Sequence, residues 1–311
     1  MKIALLSLAL IATPAFAQEA VSEGSTASAE TLATSTDMQS RMTVPIMING
    51  QGPFKFIIDT GADRTVISKE LAERLALPTA GRARLVSMSG VDSVRLVKID
   101  RVKVSEKREL RNVDAPALSE KHIGADGLLG IDALKGQRVM LDFAAETMTV
   151  EPGNTKSVRE PPAAADVIIV RARSRLGQLV LVDADANGEE IWVVVDTGGQ
   201  NSVANSAFRR LMTKGTPAEG FRKVDLISVV GDRVPAEYTI VGKMRIGGVR
   251  LGNAAVAFAD AQPFKKFGLT RRPAMLLGME GLRSFRRVSI DFANKEVRFH
   301  MPDGAVVGAQ R

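Results

Sequence analysis

The chain has 311 residues, a length at which one hydrophobic core usually gives way to two domains or lobes. Hydrophobic residues make up 45% of it and charged residues 25%, which argues against a collagen-like, a disordered or a multispanning membrane protein. The chain has no cysteine, two histidines and a formal net charge of +7, so disulfides, thiolate metal sites and a cysteine nucleophile are excluded and a multi-histidine metal centre is not expected.

Residues 1–17 have the pattern of a signal peptide. Lys2 precedes an apolar stretch that is too short to span a bilayer comfortably, and residues 15–17 (Ala-Phe-Ala) supply the small residues that a signal peptidase requires. An uncleaved anchor is the alternative. Residues 18–41 are rich in Ser, Thr, Ala and Glu, which predicts a flexible leader or, alternatively, a pro-segment. We therefore expect an exported protein, periplasmic or secreted, without a stable membrane anchor.

An internal repeat organises the rest of the chain. Residues 56–62 match residues 193–199, and both segments end an apolar run with Asp-Thr-Gly. The two motifs begin at Asp59 and at Asp196, 137 residues further on. One such motif in a chain of this length is unremarkable, whereas two in matched surroundings indicate a duplication.

Each copy of the repeat predicts the same local elements. Asn-Gly at 49–50 and at 187–188 lies between apolar runs and predicts a type I′ hairpin turn ahead of each motif. Short helices are predicted at 69–75 and 206–212, each after a residue that can cap it. Glycine, Asp and Asn break most other segments into short apolar runs, so the chain is expected to be mainly β.

The later parts of the two copies match as well. Residues 127–131 pair with residues 275–279 as an apolar-apolar-Gly element, and each copy ends in a predicted hairpin. The second copy is longer, and its extra residues are expected in a loop around 263–272. The predicted units are a first lobe (42–151), a linker (152–165), a second lobe (166–302) and a tail (303–311).

The paired motifs resemble those of the retropepsin and pepsin clan of aspartic proteases, in which Asp-Thr-Gly is followed about seventy residues later by apolar-apolar-Gly. The resemblance covers residues 42–301. It implies two homologous six-stranded-barrel-like lobes with short helices and an active-site cleft between them. Because both motifs lie in one chain, it also implies a monomer of two fused retropepsin-like lobes, with Asp59 and Asp196 as the catalytic residues.

Two carboxylates in one site suit the hydrolysis of peptide bonds. Two carboxylates that lie close together repel each other when both are ionised, so the pair keeps one proton. The aspartic proteases themselves illustrate this arrangement. The ionised partner can take a proton from a water while the other protonates the scissile carbonyl oxygen. We therefore expect an endopeptidase that acts on a peptide or protein substrate without a cofactor or metal.

The resemblance also implies roles for the residues beside the dyad. Thr60 and Thr197 would hydrogen-bond across the lobe interface and hold the dyad geometry. Gly61 and Gly198 would present backbone N–H groups to the carboxylates. Asp63 would bind the main chain of the substrate.

Lobes of this clan carry a hairpin flap over the cleft. The matching hairpins have their tips at 87–91 and 228–232, and glycine at a tip suits a mobile turn. The substrate-binding residues expected there are Met88, Ser89, Gly90, Val229 and Gly231. An ordinary exposed turn is the alternative for the second hairpin, because pepsin-like members keep one flap. Apolar flap residues predict subsites for apolar side chains.

Two positions depart from the pepsin-like pattern. Ala62 and Gly199 stand where pepsin-like members usually have a Ser or Thr whose hydroxyl donates to the carboxylate. Without these donors the ionised form is less stabilised, so we expect the pKa values of the dyad to lie higher than in pepsin-like members. The pH optimum is then expected to be mildly acidic to neutral.

Two other functions fit parts of the sequence. Gly199 is also compatible with a non-catalytic peptide-binding or scaffolding protein on the same fold. A basic cluster would serve an anion-binding surface; its residues are Lys265, Lys266, Arg271, Arg272, Arg283, Arg286 and Arg287. Such clusters are more often solvated faces, and an exported protein is not expected to bind nucleic acid.

Overall fold

The structure is a computed structural model that describes residues 29–37, 39–153, 166–175, 178–181, 183–213 and 220–302. The expected signal peptide (1–17), the first part of the leader, most of the linker and the tail (303–311) lie outside the described residues. None of the helices in the described ranges has the length and apolar character needed to cross a bilayer.

Short strands dominate the described chain. The strands are β1 Glu30–Ala33, β2 Ser35–Thr36, β3 Met42–Ile48, β4 Gln51–Ile58, β5 Val66–Ser68, β6 Thr79–Val86, β7 Val91–Lys103, β8 Glu109–Leu118, β9 Gly127–Leu129, β10 Gln137–Asp142, β11 Thr147–Pro152, β12 Val167–Arg175, β13 Gln178–Leu181, β14 Ala184–Ala186, β15 Glu189–Glu190, β16 Trp192–Val195, β17 Ser202–Ala204, β18 Arg222–Ile227, β19 Arg233–Val241, β20 Met244–Ile246, β21 Val249–Leu251, β22 Ala254–Phe258, β23 Ala274–Leu277, β24 Arg287–Asp291 and β25 Glu296–His300. The helices are α1 Lys69–Arg74, α2 Glu120–Ile123, α3 Ile131–Leu134, α4 Ser206–Met212, α5 Gln262–Lys266 and α6 Met279–Leu282.

The two lobes repeat one strand order. In the first lobe the order is β3-β4-β9-β5-β8-β7, and an additional β7–β3 pairing closes these six strands into a barrel. The second lobe has the order β13-β16-β23-β17-β22-β19, and its β14–β20 pairing corresponds to that closure. In both, a central parallel pair (β4–β9 or β16–β23) is flanked by an antiparallel neighbour. The predicted mainly β fold of two homologous lobes is confirmed.

The central strands are buried because they are apolar on both faces. Phe56, Ile57 and Ile58 at the end of β4 are fully covered, and so is every residue of β16 from Trp192 to Val195. A strand covered on both faces needs a continuous apolar run rather than an alternating one. Each Asp-Thr-Gly motif follows such a run, so the core fixes where the motif begins.

A further antiparallel sheet joins the lobes, in the order β1-β11-β10-β24-β25-β12. At its centre β10 pairs with β24, which places Arg138 opposite Asp291 and Asp142 opposite Arg287. Arg138 Nε lies 3.0 Å from Asp291 Oδ2 with both side chains buried, and Arg287 pairs with Asp142 at the other end. Separating a buried pair leaves an uncompensated charge, which is costly, so the Arg138–Asp291 pair disfavours any shift of the lobes along β10 and β24.

The second half of the expected flexible leader is part of this fold. β1 pairs with β11 over Glu30–Ala33, and β2 pairs with β3. Polar composition suggested that residues 18–41 cannot order themselves, but an edge strand gains its order from backbone hydrogen bonds to a sheet that already exists. Leu32 adds an apolar contact to the core, and Arg41 is buried. β1 therefore belongs to the sheet that joins the lobes, and β2 belongs to the sheet of the first lobe.

Both predicted type I′ turns are confirmed. Asn49 and Gly50 have φ values of 50° and 82°, and Asn187 and Gly188 have φ values of 53° and 82°. Two successive positive φ values define this turn, and they explain the Asn-Gly sequence. Each turn sends its second strand toward an Asp-Thr-Gly motif.

The two predicted helices are also confirmed, with the expected caps. Ser68 Oγ accepts from the backbone N–H of Leu71 at the start of α1, and Asn205 Oδ1 accepts from that of Phe208 at the start of α4. Part of the extra length of the second lobe lies where it was expected, between β22 and β23, and another part lies between α4 and β18, where Met212 and Arg222 are 10 positions apart against 5 for Arg74 and Thr79 in the first lobe. Sixteen positions separate Phe258 at the end of β22 from Ala274 at the start of β23, and they include α5.

Candidate active site

The core strands set the position of the two motif aspartates. Asp59 follows β4, and its backbone N–H donates to Leu129 O of β9 at 3.0 Å. Asp196 follows β16, and its N–H donates to Leu277 O of β23, also at 3.0 Å. The apolar-apolar-Gly element of each lobe therefore anchors the first residue of the loop that carries the carboxylate.

Thr60 and Thr197 bind each other's loops reciprocally. Thr60 N–H donates to Thr197 Oγ1 at 3.0 Å, and Thr197 N–H donates to Thr60 Oγ1 at 3.1 Å. Each hydroxyl then donates to a carbonyl of the opposite lobe, Thr60 to Val195 O at 2.9 Å and Thr197 to Ile58 O at 2.7 Å. Both threonines are buried. These four bonds tie the motif loops together directly beneath the carboxylates.

Each carboxylate accepts two backbone N–H groups on one oxygen. Gly61 and Ala62 donate to Asp59 Oδ1 at 2.8 and 2.9 Å. In the second lobe the N–H groups of residues 198 and 199 donate to Asp196 Oδ1, both at 3.1 Å. The other oxygen of each carboxylate is thus left to face a proton, a water or a substrate.

The two carboxylates share one small space. A side chain on Gly61 would place its first carbon 2.7 Å from Asp196 Oδ1 and 3.1 Å from Asp59 Oδ1. A side chain on Gly198 would collide with the Asp59 carboxyl group. Each carboxyl group therefore packs against the glycine of the opposite motif, and only glycine leaves room for the pair.

Burial, and then the charge of Asp196, raises the pKa of Asp59 to about 7. Burial also raises the pKa of Asp196. The backbone N–H groups and the Arg41 guanidinium oppose both shifts. The largest cause of both shifts is loss of solvent on burial. A pair with these properties holds a proton at neutral pH.

This shift predicts how stability depends on pH. An unfolded Asp59 loses its proton near its ordinary pKa of 3.8 and the folded one near 7, so the folded protein binds more protons between these values. Wild-type stability therefore falls as pH rises through that window. Asp59→Asn has no carboxyl group to titrate at this position. Between pH 4 and 7.5 its free energy of unfolding should therefore rise relative to that of wild type by on the order of 2–4 kcal/mol.

Thermal unfolding at the two pH values measures the effect. The difference in Tm between variant and wild type should be small at pH 4 and reach ~5–10 °C at pH 7.5. Asp100→Asn removes an exposed carboxylate of β7 and controls for the change in net charge. Equal pH dependence in Asp59→Asn and Asp100→Asn would show that Asp59 titrates normally.

Both flap hairpins are present, and their tips meet. The first joins β6 to β7, and the second joins β18 to β19. Ser89 Oγ donates to Asp232 Oδ2 at 2.8 Å and lies 3.3 Å from Ser228 Oγ. The second hairpin is therefore more than an exposed turn, since its tip closes against the first. Gly90 lies between the contact residue Ser89 and β7.

Each flap tip also packs on the opposite lobe. Met88 of the first flap contacts the apolar cluster around Phe264, and its carbonyl accepts from Gln262 N–H at 3.2 Å. Val229 of the second flap contacts the apolar cluster around Ile123. At Gly231, with φ of 97°, a side chain would collide with the His122 ring. Each flap tip thus contacts both the other flap and the opposite lobe.

Asp63 is engaged in a contact that its expected role does not include. Its carboxylate pairs with Lys266 Nζ of α5, in the other lobe. Asp63 is 44% exposed and Lys266 23%, so the pair lies at the surface. The second lobe has Gln200 at the corresponding position. The equivalent positions of the two lobes therefore differ, with an ion-paired carboxylate in the first and an amide in the second.

Sequence reasoning missed two residues that contact the motifs. Arg41 Nη1 donates to Gly198 O at 3.4 Å, and the Gln178 side-chain amide donates to Gly61 O. These residues are 137 positions apart, the offset of the repeat. That offset is the signal that would have found them. Among the described residues no three His, Cys, Asp or Glu side chains are grouped as metal ligands.

The fold and the paired motifs define a two-lobed protein of the acid-protease class. Comparison with protein families gives one match in each lobe. Residues 44–136 match the family model of the gag-polyprotein aspartyl protease, and residues 182–280 match the aspartyl protease family model. The chain belongs to the retropepsin-like aspartic proteases, with two such domains in tandem. No curated protein matches it.

Proposed function

We propose that this protein is an aspartic endopeptidase in which Asp59 and Asp196 activate a water for attack on a peptide bond. The observation that carries the proposal is the pair of carboxylates, held on opposing loops and sharing the space beside Gly61 and Gly198. With one proton on the pair, the ionised carboxylate accepts a proton from the water, and the protonated one donates to the scissile carbonyl oxygen. The threonine bonds keep the two carboxylates aligned.

The substrate of this proposal is an extended peptide. The flaps present strand edges that can pair with an extended main chain. Their exposed apolar residues, among them Val91 and Ile227, favour apolar side chains in the substrate. Because the lobes are fused, one chain supplies both carboxylates and acts as a monomer. The sequence of residues 1–17 supports action outside the cytoplasm, in the periplasm or beyond.

The experiment that tests the function is digestion of an unfolded protein by the purified chain between pH 3 and 8. Mass spectrometry of the products gives the cut sites, and pepstatin gives the inhibitor class. We expect internal cuts beside apolar residues, with highest activity between about pH 5 and 7, because the dyad must carry one proton. A folded chain that makes no cut at any pH would leave the non-catalytic peptide-binding protein as the better description.

The Asp63–Lys266 pair gives a test of substrate binding at one end of the cleft. If Asp63 binds the substrate main chain, Lys266 competes for the same carboxylate. Lys266→Met is then expected to lower KM by about two- to fivefold, the effect of removing a partly exposed ion pair. Adding Asp63→Asn to this variant should raise KM again. An unchanged KM in both variants would remove Asp63 from the substrate-binding residues.

A further inference from the structure

Arg41 is a buried cation at the junction of the two lobes. It precedes β3 and is 8% exposed. Its Nε donates to Asp37 Oδ2 at 2.8 Å, and its Nη2 donates to Ile123 O of the first lobe at 2.6 Å. Its Nη1 reaches Gly198 O of the second lobe at 3.4 Å. The planar guanidinium thus contacts both lobes with different nitrogens, which a lysine ammonium would not reproduce.

Gly198 connects this cation to the dyad. The glycine packs so closely on the Asp59 carboxyl group that a side chain there would collide with it. Its N–H donates to Asp196 Oδ1 at 3.1 Å while its carbonyl accepts from Arg41. Arg41 is therefore one residue removed from both carboxylates, and a shift of Arg41 would move the peptide that contacts them.

The repeat supplies a neutral counterpart to Arg41. Gln178 lies 137 positions later, and its side-chain amide donates to Gly61 O, as Arg41 does to Gly198 O. Gln178 is also buried. The same position in the two lobes thus contacts the same atom of the opposite motif, with a charge in one lobe and none in the other.

We propose that Arg41 is a positioning residue of the dyad: it holds the Gly198 peptide against the two carboxylates and gives the otherwise symmetric site a single cation. This inference rests on the proposed function, since it assigns Arg41 a part in keeping the dyad active at acidic pH. Asp37 and Arg41 are then needed in the mature enzyme. Any proteolytic maturation must therefore cleave the chain before residue 37.

The charged groups around Arg41 fit this role. On its own segment it faces Asp37, which also accepts from the Arg41 N–H at 2.7 Å. Across the junction it acts on Asp59 and Asp196, lowering the pKa of both. On the outer side, beside Gly124, a surface cavity of about 470 Å³ is lined by charged residues of α1 and α2; these are Glu70, Glu120 and Lys121. His122 of α2 packs against Gly231 of the second flap. Arg283 Nε donates to Ser40 O, next to Arg41, at 2.9 Å.

The test compares Arg41→Gln with Arg41→Lys and follows kcat/KM against pH. Arg41→Gln gives both lobes the neutral side chain that Gln178 already provides, so both limbs of the profile should move to higher pH by about 0.5–1.5 units. Arg41→Lys keeps the positive charge but loses the planar guanidinium that contacts both lobes. The limbs of its pH profile should therefore stay within about 0.3 pH units of wild type, while kcat falls. Arg283→Gln removes a cation that also contacts this segment, and it should leave the limbs in place.

A second variant and a second readout keep the proposal testable if Arg41→Gln does not fold or wild type does not cut. Asp37→Asn removes the partner charge with little change of shape, so it should move both limbs to lower pH. Titration of ¹³C-labelled Asp carboxyls by NMR should show the same two directions for the dyad in the folded proteins, with or without turnover. An inactive wild type would thus contradict the proposed protease function but not the role of Arg41 beside the dyad. Identical dyad titration in wild type, Arg41→Gln and Asp37→Asn would reduce Arg41 to a tether between the lobes.

Discussion

Asp59→Asn and Asp196→Asn are each expected to lower kcat by roughly 10³- to 10⁴-fold, while KM changes little. The amide of Asn neither takes a proton from the water nor shares one with the partner carboxylate. It can still accept the two backbone N–H groups that Asp59 Oδ1 or Asp196 Oδ1 accepts, so the loops should keep their shape. Single-turnover cleavage of a peptide chosen from the mapped cut sites measures the loss.

Three comparisons make this result specific. The double variant should be no slower than either single variant, because residues that act as a unit do not contribute additively. Asp100→Asn, on the exposed face of β7, should cut at the wild-type rate. Both dyad variants should remain folded and unfold at higher temperature than wild type at pH 7.5. A single variant that keeps more than about a tenth of the activity would mean that the two aspartates do not form one catalytic pair.

The fold was predictable because its signals are local and occur twice. An Asn-Gly turn, an apolar strand, Asp-Thr-Gly and a capped helix each need only a few neighbouring residues, and the 137-residue offset repeats them in order. The resemblance to the aspartic proteases also implied that Thr60 and Thr197 would hydrogen-bond across the lobe interface. The hydrogen bonds between these two residues have that arrangement.

The contacts that sequence reasoning missed join residues far apart in the chain. Arg41 and Gly198 are 157 positions apart, and Asp63 and Lys266 are 203 positions apart. The repeat offset links Arg41 to Gln178, but no local signal links either member of these pairs to its partner, since their approach depends on how the lobes dock. The order of residues 30–36 was missed for a related reason, because β1 is held by the sheet that it joins rather than by its own side chains.

The pKa values of the dyad likewise depend partly on local sequence and partly on how the lobes assemble. From the residues at 62 and 199, which lack hydroxyl donors, the sequence predicts pKa values above those of pepsin-like members, and in the structure the pKa values of Asp59 and Asp196 are raised above the ordinary Asp value. In the structure burial is the largest cause, and burial comes from the opposite lobe, whose motif glycine packs on each carboxyl group. Local sequence reports which donors are present, whereas loss of solvent is a property of the assembled site.

Thr197→Val is expected to lower both stability and activity. It removes the donor to Ile58 O at 2.7 Å and the acceptor of Thr60 N–H at 3.0 Å, both buried backbone groups of the first lobe. Leaving two such groups unpaired costs about 2–4 kcal/mol, which corresponds to ~5–15 °C in Tm. Because the loops then lose their alignment, kcat should fall by roughly 10- to 100-fold as well.

Thr197→Ser distinguishes the hydroxyl from the methyl group. It keeps both hydrogen bonds, so Tm and kcat should stay near wild type, within about 1 kcal/mol in stability. Thr239→Val is the matched control, because Thr239 makes one exposed bond, to Gly220 O at 3.2 Å, and its loss should cost at most about 1 kcal/mol without affecting kcat. Differential scanning calorimetry measures Tm, and peptide cleavage measures kcat. If Thr197→Val and Thr239→Val had equal effects on both quantities, the reciprocal threonine bonds would not be what holds the two halves of the dyad in place.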